Sequence, residues 1–135
     1  MDFSLTEKEK MLRQMAKEFA DNLVKPLAAE IDRKDEFPFG LAQELAHRGY
    51  RGLPMPVEYG GAGVGYLAYA LVMEQVCIAS MTAGAIMAIN TVPEEGILRF
   101  GTEEQKKRLL TPLAQGDKLG CIAFTEAETG SDPSL

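Results

Sequence analysis

The sequence predicts an all-α fold, a bundle of about six helices that ends in the first strand of an incomplete β domain. Three observations predict it. Apolar residues recur at three- and four-residue spacing in the first long segment, at Leu12, Met15, Phe19 and Leu23. Capping-box patterns, Thr6 with Glu9 and Thr102 with Gln105, open helical runs near both ends of the chain. Only residues 120–125, Gly-Cys-Ile-Ala-Phe-Thr, read persuasively as a strand. The expected division is a helical domain over residues 1–119 and, over residues 120–135, the first strand of an incomplete β domain.

The first helix carries its apolar stripe opposite Lys8, Lys10, Arg13, Lys17, Glu18 and Asp21. Pro26 divides or kinks it, because proline removes a helix hydrogen bond and clashes with the preceding turn. A second piece runs on through Leu27, Ala28 and Ile31 to the charged residues 32–36. Pro38 opens a third helix carrying Leu41, Leu45 and Ala46, and Gly49 is placed to end it. Residues 52–65 are rich in Gly and Pro. No strand precedes them, so an ordered connector is expected rather than a phosphate-binding loop.

Residues 66–92 are almost wholly apolar or small, with Glu74 their only charge. Two readings compete. The uncharged stretch from 75 to 93 is long enough to span a membrane. Gln75, Ser80, Thr82, Asn90 and Thr91 interrupt it, and its Ala and Gly residues contribute little transfer energy. Two buried helices meeting near residues 79–82 are the favoured reading, with no membrane span. The Thr102 capping box then starts a helix through Leu109, Leu110 and Leu113, closed by Gly116.

Composition sets outer bounds. A chain of 135 residues suffices for one compact core. With 46% hydrophobic and 25% charged residues it is ordinary for a folded domain, which argues against disorder. Its net charge of -6, from 20 acidic and 14 basic residues, disfavours a nucleic-acid partner. The basic run Lys106-Lys107-Arg108 follows two glutamates in a helical pattern and reads as a solvated face. Cys77 and Cys121 lie in apolar surroundings and are expected as buried free thiols in a reducing compartment. The first ten residues show no basic or apolar leader. A cytoplasmic location is expected, or an organellar matrix if a presequence was removed.

Little side-chain chemistry stands out. His47 is the only histidine, which leaves a triad or a histidine metal site without material. It reads as a residue near a helix C-terminus. The pairs Glu94-Glu95 and Glu103-Glu104 are expected at helix N-termini, and Glu126 and Glu128 have no partner fixed by sequence. No metal site and no catalytic residue is expected within these 135 residues.

The segment Phe124-Thr125-Glu126, followed by Gly130-Ser131-Asp132, resembles the flavin- and acyl-contacting segment of the acyl-CoA dehydrogenase family. Ala127 and Glu128 stand where the family usually has Pro-Gly, which alters the stiffness of the turn before Ser131. The resemblance extends over essentially the whole chain in family order. It takes in the Leu-Thr-Glu helix start, the Pro-x-x-x-Gly-Gly loop, Met73-Glu74, Asn90-Thr91, residues 100–107, Leu113 and Gly116. It implies an FAD enzyme forming an α,β-double bond in an acyl-CoA, passing electrons to an electron-transfer flavoprotein and assembling as a homotetramer.

For individual residues the resemblance implies that the backbone at Ile122 and Phe124 borders the flavin ring. Thr125 hydrogen-bonds its pyrimidine end, and Ser131, beside Gly130, meets the pyrophosphate or the CoA thioester. The acyl chain is implied beside Gly84, Met87, Ala88 and Thr91. These are small or apolar, so an apolar acyl group is expected rather than a free dicarboxylate. The base that removes the α-proton is implied in a C-terminal helical domain outside these residues, so the 135-residue chain alone is expected to be inactive. Two alternatives remain open: an acyl-CoA oxidase or flavin monooxygenase relative of the same fold, and a non-enzymatic helical interaction module. For each named residue, plain core packing or a Ser/Asp turn ending a sheet is the simpler account.

Overall fold

A computed structural model of the protein describes residues 4–132. Residues 1–3 of the amino-terminal reading and residues 133–135 of the expected β segment lie outside the described residues. Helix α1 spans Glu7–Phe19 and runs through a widened π-turn, Ala20–Val24, into α2, Lys25–Lys34. Helix α3 is Phe39–His47, α4 Gly65–Ala79 and α5 Met81–Phe100. Helix α6, Glu103–Gln105, continues through a second π-turn, Lys106–Leu110, into α7, Thr111–Ala114. The described residues are thus all-helical and form five continuous rods.

Local chemistry sets several of the ends. At α1 the Glu9 N–H donates to Thr6 Oγ1 at 3.2 Å, and the Thr6 N–H donates to Glu9 Oε2 at 2.7 Å. Thr102 and Gln105 make the same reciprocal pair at α6. Both capping boxes therefore form as expected. Gly49 and Gly116 adopt left-handed φ of 70° and 86°, ending α3 and α7 where other residues are strained.

Pro26 does not break the rod. The π-turn shifts the Lys25 N–H onto the Ala20 carbonyl, and Pro26 sits in the first turn of α2, where a missing donor is tolerated. The apolar stripe of α1 is also rotated from its expected position. Ala16 and Phe19 are buried, whereas Met15 is half exposed at 51%. The seam runs Leu12, Ala16, Phe19, Leu23.

Helix α1 packs on α4, α4 packs on α5, and α3 and α7 also contact α5. Val72 and Val76 of α4 meet Ala83, Ile86 and Met87 of α5 in the main core, with Leu41 and Leu45 of α3. The Phe19 and Tyr50 rings meet edge to face at 5.3 Å. The apolar stretch at 66–92 is two helices, as read from its interruptions. Ser80 breaks them with φ -159° and ψ 122°, and its hydroxyl caps α5 at the Ala83 N–H. Among the described residues no helix is long and apolar enough to cross a membrane.

The connector at 52–64 is ordered by its own backbone. Ala62 N–H donates to Gly52 O, Gly63 N–H to Met55 O, and Val64 N–H to Leu53 O, at 2.9–3.2 Å. Met55 and Tyr59 on it join Leu110 and Ala114 in a second, smaller core.

Three further expectations are corrected. Residues 120–125 form no strand: among the described residues no segment pairs with them, and a strand exists only as part of a ladder. Cys121 is exposed, and Cys77 is partly buried. Glu94 and Glu95 lie well inside α5 rather than at a helix N-terminus, and Glu94 is wholly buried.

Candidate functional site

Helix α5 organises the region of chemical interest. One side of it faces the core, and another faces the chain as it leaves α7 and passes over at 116–120. Asn90 lies between these sides. Its Oδ1 accepts the Gly120 N–H at 2.9 Å and the Arg51 Nη2 donor at 2.9 Å. Its Nδ2 donates to Glu94 Oε1, one helical turn on, at 2.7 Å.

Arg51, from the connector after α3, is only 2% exposed. Its guanidinium fork also donates to the carbonyls of Gly116, at 3.1 Å, and Lys118. Guanidinium suits this work because its planar fork reaches several acceptors at once. Nearby, Thr91 Oγ1 lies 3.2 Å from the Tyr69 hydroxyl and donates to Met87 O at 3.1 Å.

The electrostatics of this cluster are unusual for the chain. Burial pushes the Glu94 carboxyl up to about 8, against the pull of the Arg51 guanidinium and the Asn90 hydrogen bond. Burial also raises the Tyr69 phenol, more than its hydrogen bond with Thr91 lowers it. Among the described residues Glu94 Oε2 and Arg51 Nε have no hydrogen-bond partner. A neutral carboxyl at Glu94 fits that arrangement, because an unpaired buried carboxylate oxygen is costly.

Beside the cluster lies an apolar pocket of about 470 Å³. Thr82, Ala85, Ile86 and Ile89 of α5 form one wall, Phe37 and Phe39 another, and Leu119 to Cys121 a third. No charged side chain lines it.

The sequence-predicted site residues fall into two groups. Ile122, Phe124, Thr125, Gly130 and Ser131 lie together on the exposed chain beyond Gly120, with Ile122 41% and Phe124 63% exposed. Among the described residues, 121–125 make no hydrogen bond. Their backbone donors are uncommitted, and Ile122 and Phe124 are two residues apart, the spacing of one strand face. That donor set fits the edge of a flavin, which needs N–H groups along its pyrimidine side and an apolar cover. A turn closes after it, with the Glu126 N–H on Thr129 O at 3.1 Å. Space is open around the Gly130 α-carbon.

Gly84, Met87, Ala88 and Thr91 form the second group, on the core side of α5. Gly84, Met87 and Thr91 are buried and Ala88 is half-buried. A Cβ at Gly84 would fall on the Cys77 sulfur of α4. The pocket takes instead the neighbouring residues Ala85, Ile86 and Ile89. Sequence reasoning did not mention Arg51, named Asn90 only as a break in the apolar stretch and part of the family pattern, and read Glu94 as a helix start. The available signal was Asn90 and Glu94 at four-residue spacing within an apolar helix, where polar pairs need a partner.

Comparison with known proteins bears on this arrangement. The family model described as acyl-CoA dehydrogenase, N-terminal domain, matches residues 6–117. The short-chain specific acyl-CoA dehydrogenase of Clostridium acetobutylicum is 41% identical over 133 residues, covering 98% of this chain and 35% of that protein. Butyryl-CoA dehydrogenase from Megasphaera elsdenii superposes with a TM-score of 0.91 at 31% identity, over 98% of this chain and 36% of that one. A structure described as the electron transferring flavoprotein of Acidaminococcus fermentans gives a TM-score of 0.92 at 36% identity, over 98% of this chain and 35% of that one. The chain therefore spans about a third of the length of the relatives it matches. With a family model along most of its length and the same helical fold in solved relatives, the chain belongs to the acyl-CoA dehydrogenase family, in the part that forms the N-terminal domain.

Proposed function

We propose that this chain is the N-terminal part of an FAD-dependent acyl-CoA dehydrogenase that converts an acyl-CoA to its α,β-unsaturated thioester. One observation carries the reading. The exposed donor segment at 121–125 and the apolar pocket of α5 are contiguous, because Leu119, Gly120 and Cys121 form a wall of that pocket. A flavin edge and an acyl-chain site must adjoin if the two are to react.

Held by these residues, FAD would supply a two-electron oxidant able to accept hydride from the acyl β-carbon, and the α-proton would go to a carboxylate outside these residues. The residues of this chain bind and exclude water. Thr125 offers its N–H and hydroxyl to the pyrimidine side, and Ile122 and Phe124 cover the ring. Ser131, with Gly130 beside it, lies on the pyrophosphate or thioester side. Ala85, Ile86 and Ile89 line the acyl chain, while Gly84, Met87, Ala88 and Thr91 set the spacing of α4 and α5 behind them. The pocket has no cation for a second carboxylate, which supports an apolar acyl group.

An electron-transfer flavoprotein is the proposed electron acceptor, as the family membership implies. A homotetramer in the cytoplasm, or in an organellar matrix, completes the proposal.

Anaerobic mixing of the complete FAD-loaded protein with butyryl-CoA tests it. Bleaching of the oxidised flavin band, with little response to glutaryl-CoA, is the expected result. Absence of bleaching by any saturated acyl-CoA overturns the reading, and rapid reoxidation by air moves it to an oxidase. The 135-residue chain alone is expected to show no thioester-dependent bleaching.

A further inference from the structure

We propose that Arg51 and Asn90 are positioning residues, a buried clamp that fixes where the chain leaves the helical domain at 116–120 and so sets the place of the 121–131 segment. This rests on the reading of that segment as a flavin edge.

The geometry is specific. Between α7 and Gly120 the chain has no regular secondary structure, yet buried side chains hold it at three points. Arg51 donates to the carbonyls of Gly116 and Lys118, and Asn90 accepts from the N–H of Gly120. Arg51 and Asn90 are joined to each other at 2.9 Å, so the contacts act as one unit. Glu94 orients that unit: by accepting from Asn90 Nδ2 it turns Oδ1 toward Gly120 and Arg51. Pro93 and Asn90 press so close to Gly120 that a Cβ there would overlap the proline ring. No hydrogen bond fixes residues 121–125 among the described residues. The clamp is thus the last fixed point before the segment that would meet the cofactor. Pairs of donors and acceptors buried this deeply are costly to assemble unless satisfied, and here they are spent on a connecting segment rather than on core packing.

The test compares wild type with Arg51→Met, Asn90→Ala and Arg51→Lys. In the 135-residue chain, the Gly120 amide is expected to exchange about tenfold faster in Arg51→Met and Asn90→Ala, reflecting the loss of roughly one hydrogen bond. Arg51→Lys recovers part of the protection, because one ammonium reaches one carbonyl and not the full fork. In the complete FAD-loaded protein, the same two variants are expected to shift the flavin absorption bands and weaken FAD binding about tenfold. Thermal unfolding identifies variants that fail to fold, and Arg51→Lys then carries the test.

Unchanged Gly120 exchange in folded variants overturns the clamp. Faster exchange with an unaltered flavin spectrum and affinity overturns its positioning role. If wild type itself takes up no FAD, the functional reading fails, and the exchange measurement still decides whether the clamp exists.

Discussion

Asn90, near the middle of α5, accepts the backbone N–H of Gly120 at 2.9 Å across a separation of 30 residues. The bond joins the helical core to the segment proposed to border the flavin. Arg51, 39 residues before Asn90, meets the same oxygen. One buried amide side chain therefore links α5, the connector after α3 and the chain leaving α7.

Glu94 makes stability depend on pH. Burial raises its carboxyl from an ordinary 4.5 to about 8. In that window the folded protein keeps a proton that the unfolded chain has released, so stability falls as pH rises from about 4.5 to about 8 and then levels. Glu94→Gln keeps the neutral form and an amide that can adopt the same hydrogen-bonding role. Urea unfolding at pH 5 and pH 8.5 is expected to show wild type losing a few kcal/mol that the variant does not lose. Equal pH dependence in the two proteins would show that Glu94 is ionised in the fold.

Two glycines predict opposite signs. Gly40 lies in α3 with open space around it, so Gly40→Ala is expected to stabilise by about 0.5–1 kcal/mol through helix propensity. Gly52 is buried, and a Cβ there would fall on the Ala114 backbone, which has no rotamer to escape by. Gly52→Ala is expected to destabilise by about 1–3 kcal/mol or more. Thermal melts of the two variants check both signs.

Charge scanning of α5 separates the pocket from the core. Met87 is fully buried, so Met87→Glu is expected to unfold the domain rather than report on ligand. Ile89 is 48% exposed and lines the pocket. Ile89→Glu is expected to leave the helical circular dichroism intact and to weaken binding of an aliphatic acyl-CoA to the FAD-loaded protein at least about tenfold. Unchanged affinity in a folded Ile89→Glu protein would remove this pocket from the acyl site.

Most of the fold was legible because its signals are local. The boxes at Thr6 and Thr102, the break at Ser80 and the stops at Gly49 and Gly116 each depend on residues within one turn. What escaped was non-local or shifted by a single position. Met15 and Ala16 differ by one step around α1, and only packing against α4 decides which is buried. Pro26 reads as a break until the π-turn before it is known. Residues 120–125 have strand composition, but pairing depends on a partner elsewhere. Glu94 resembled an acidic helix start because its partners, Asn90 and the distant Arg51, meet it only in the folded chain. Gly84, Met87, Ala88 and Thr91 lie on α5, and the apolar pocket opens on the adjacent face of that helix, a distinction of one position that periodicity does not resolve.

Residues 121–125 are proposed to form the edge of a flavin site, and hydrogen exchange of their backbone amides in the complete protein, with and without FAD, decides it. The Ile122, Phe124 and Thr125 amides, unbonded among the described residues, are expected to become strongly protected when FAD binds. Tight FAD binding with unchanged exchange at these three amides would contradict it.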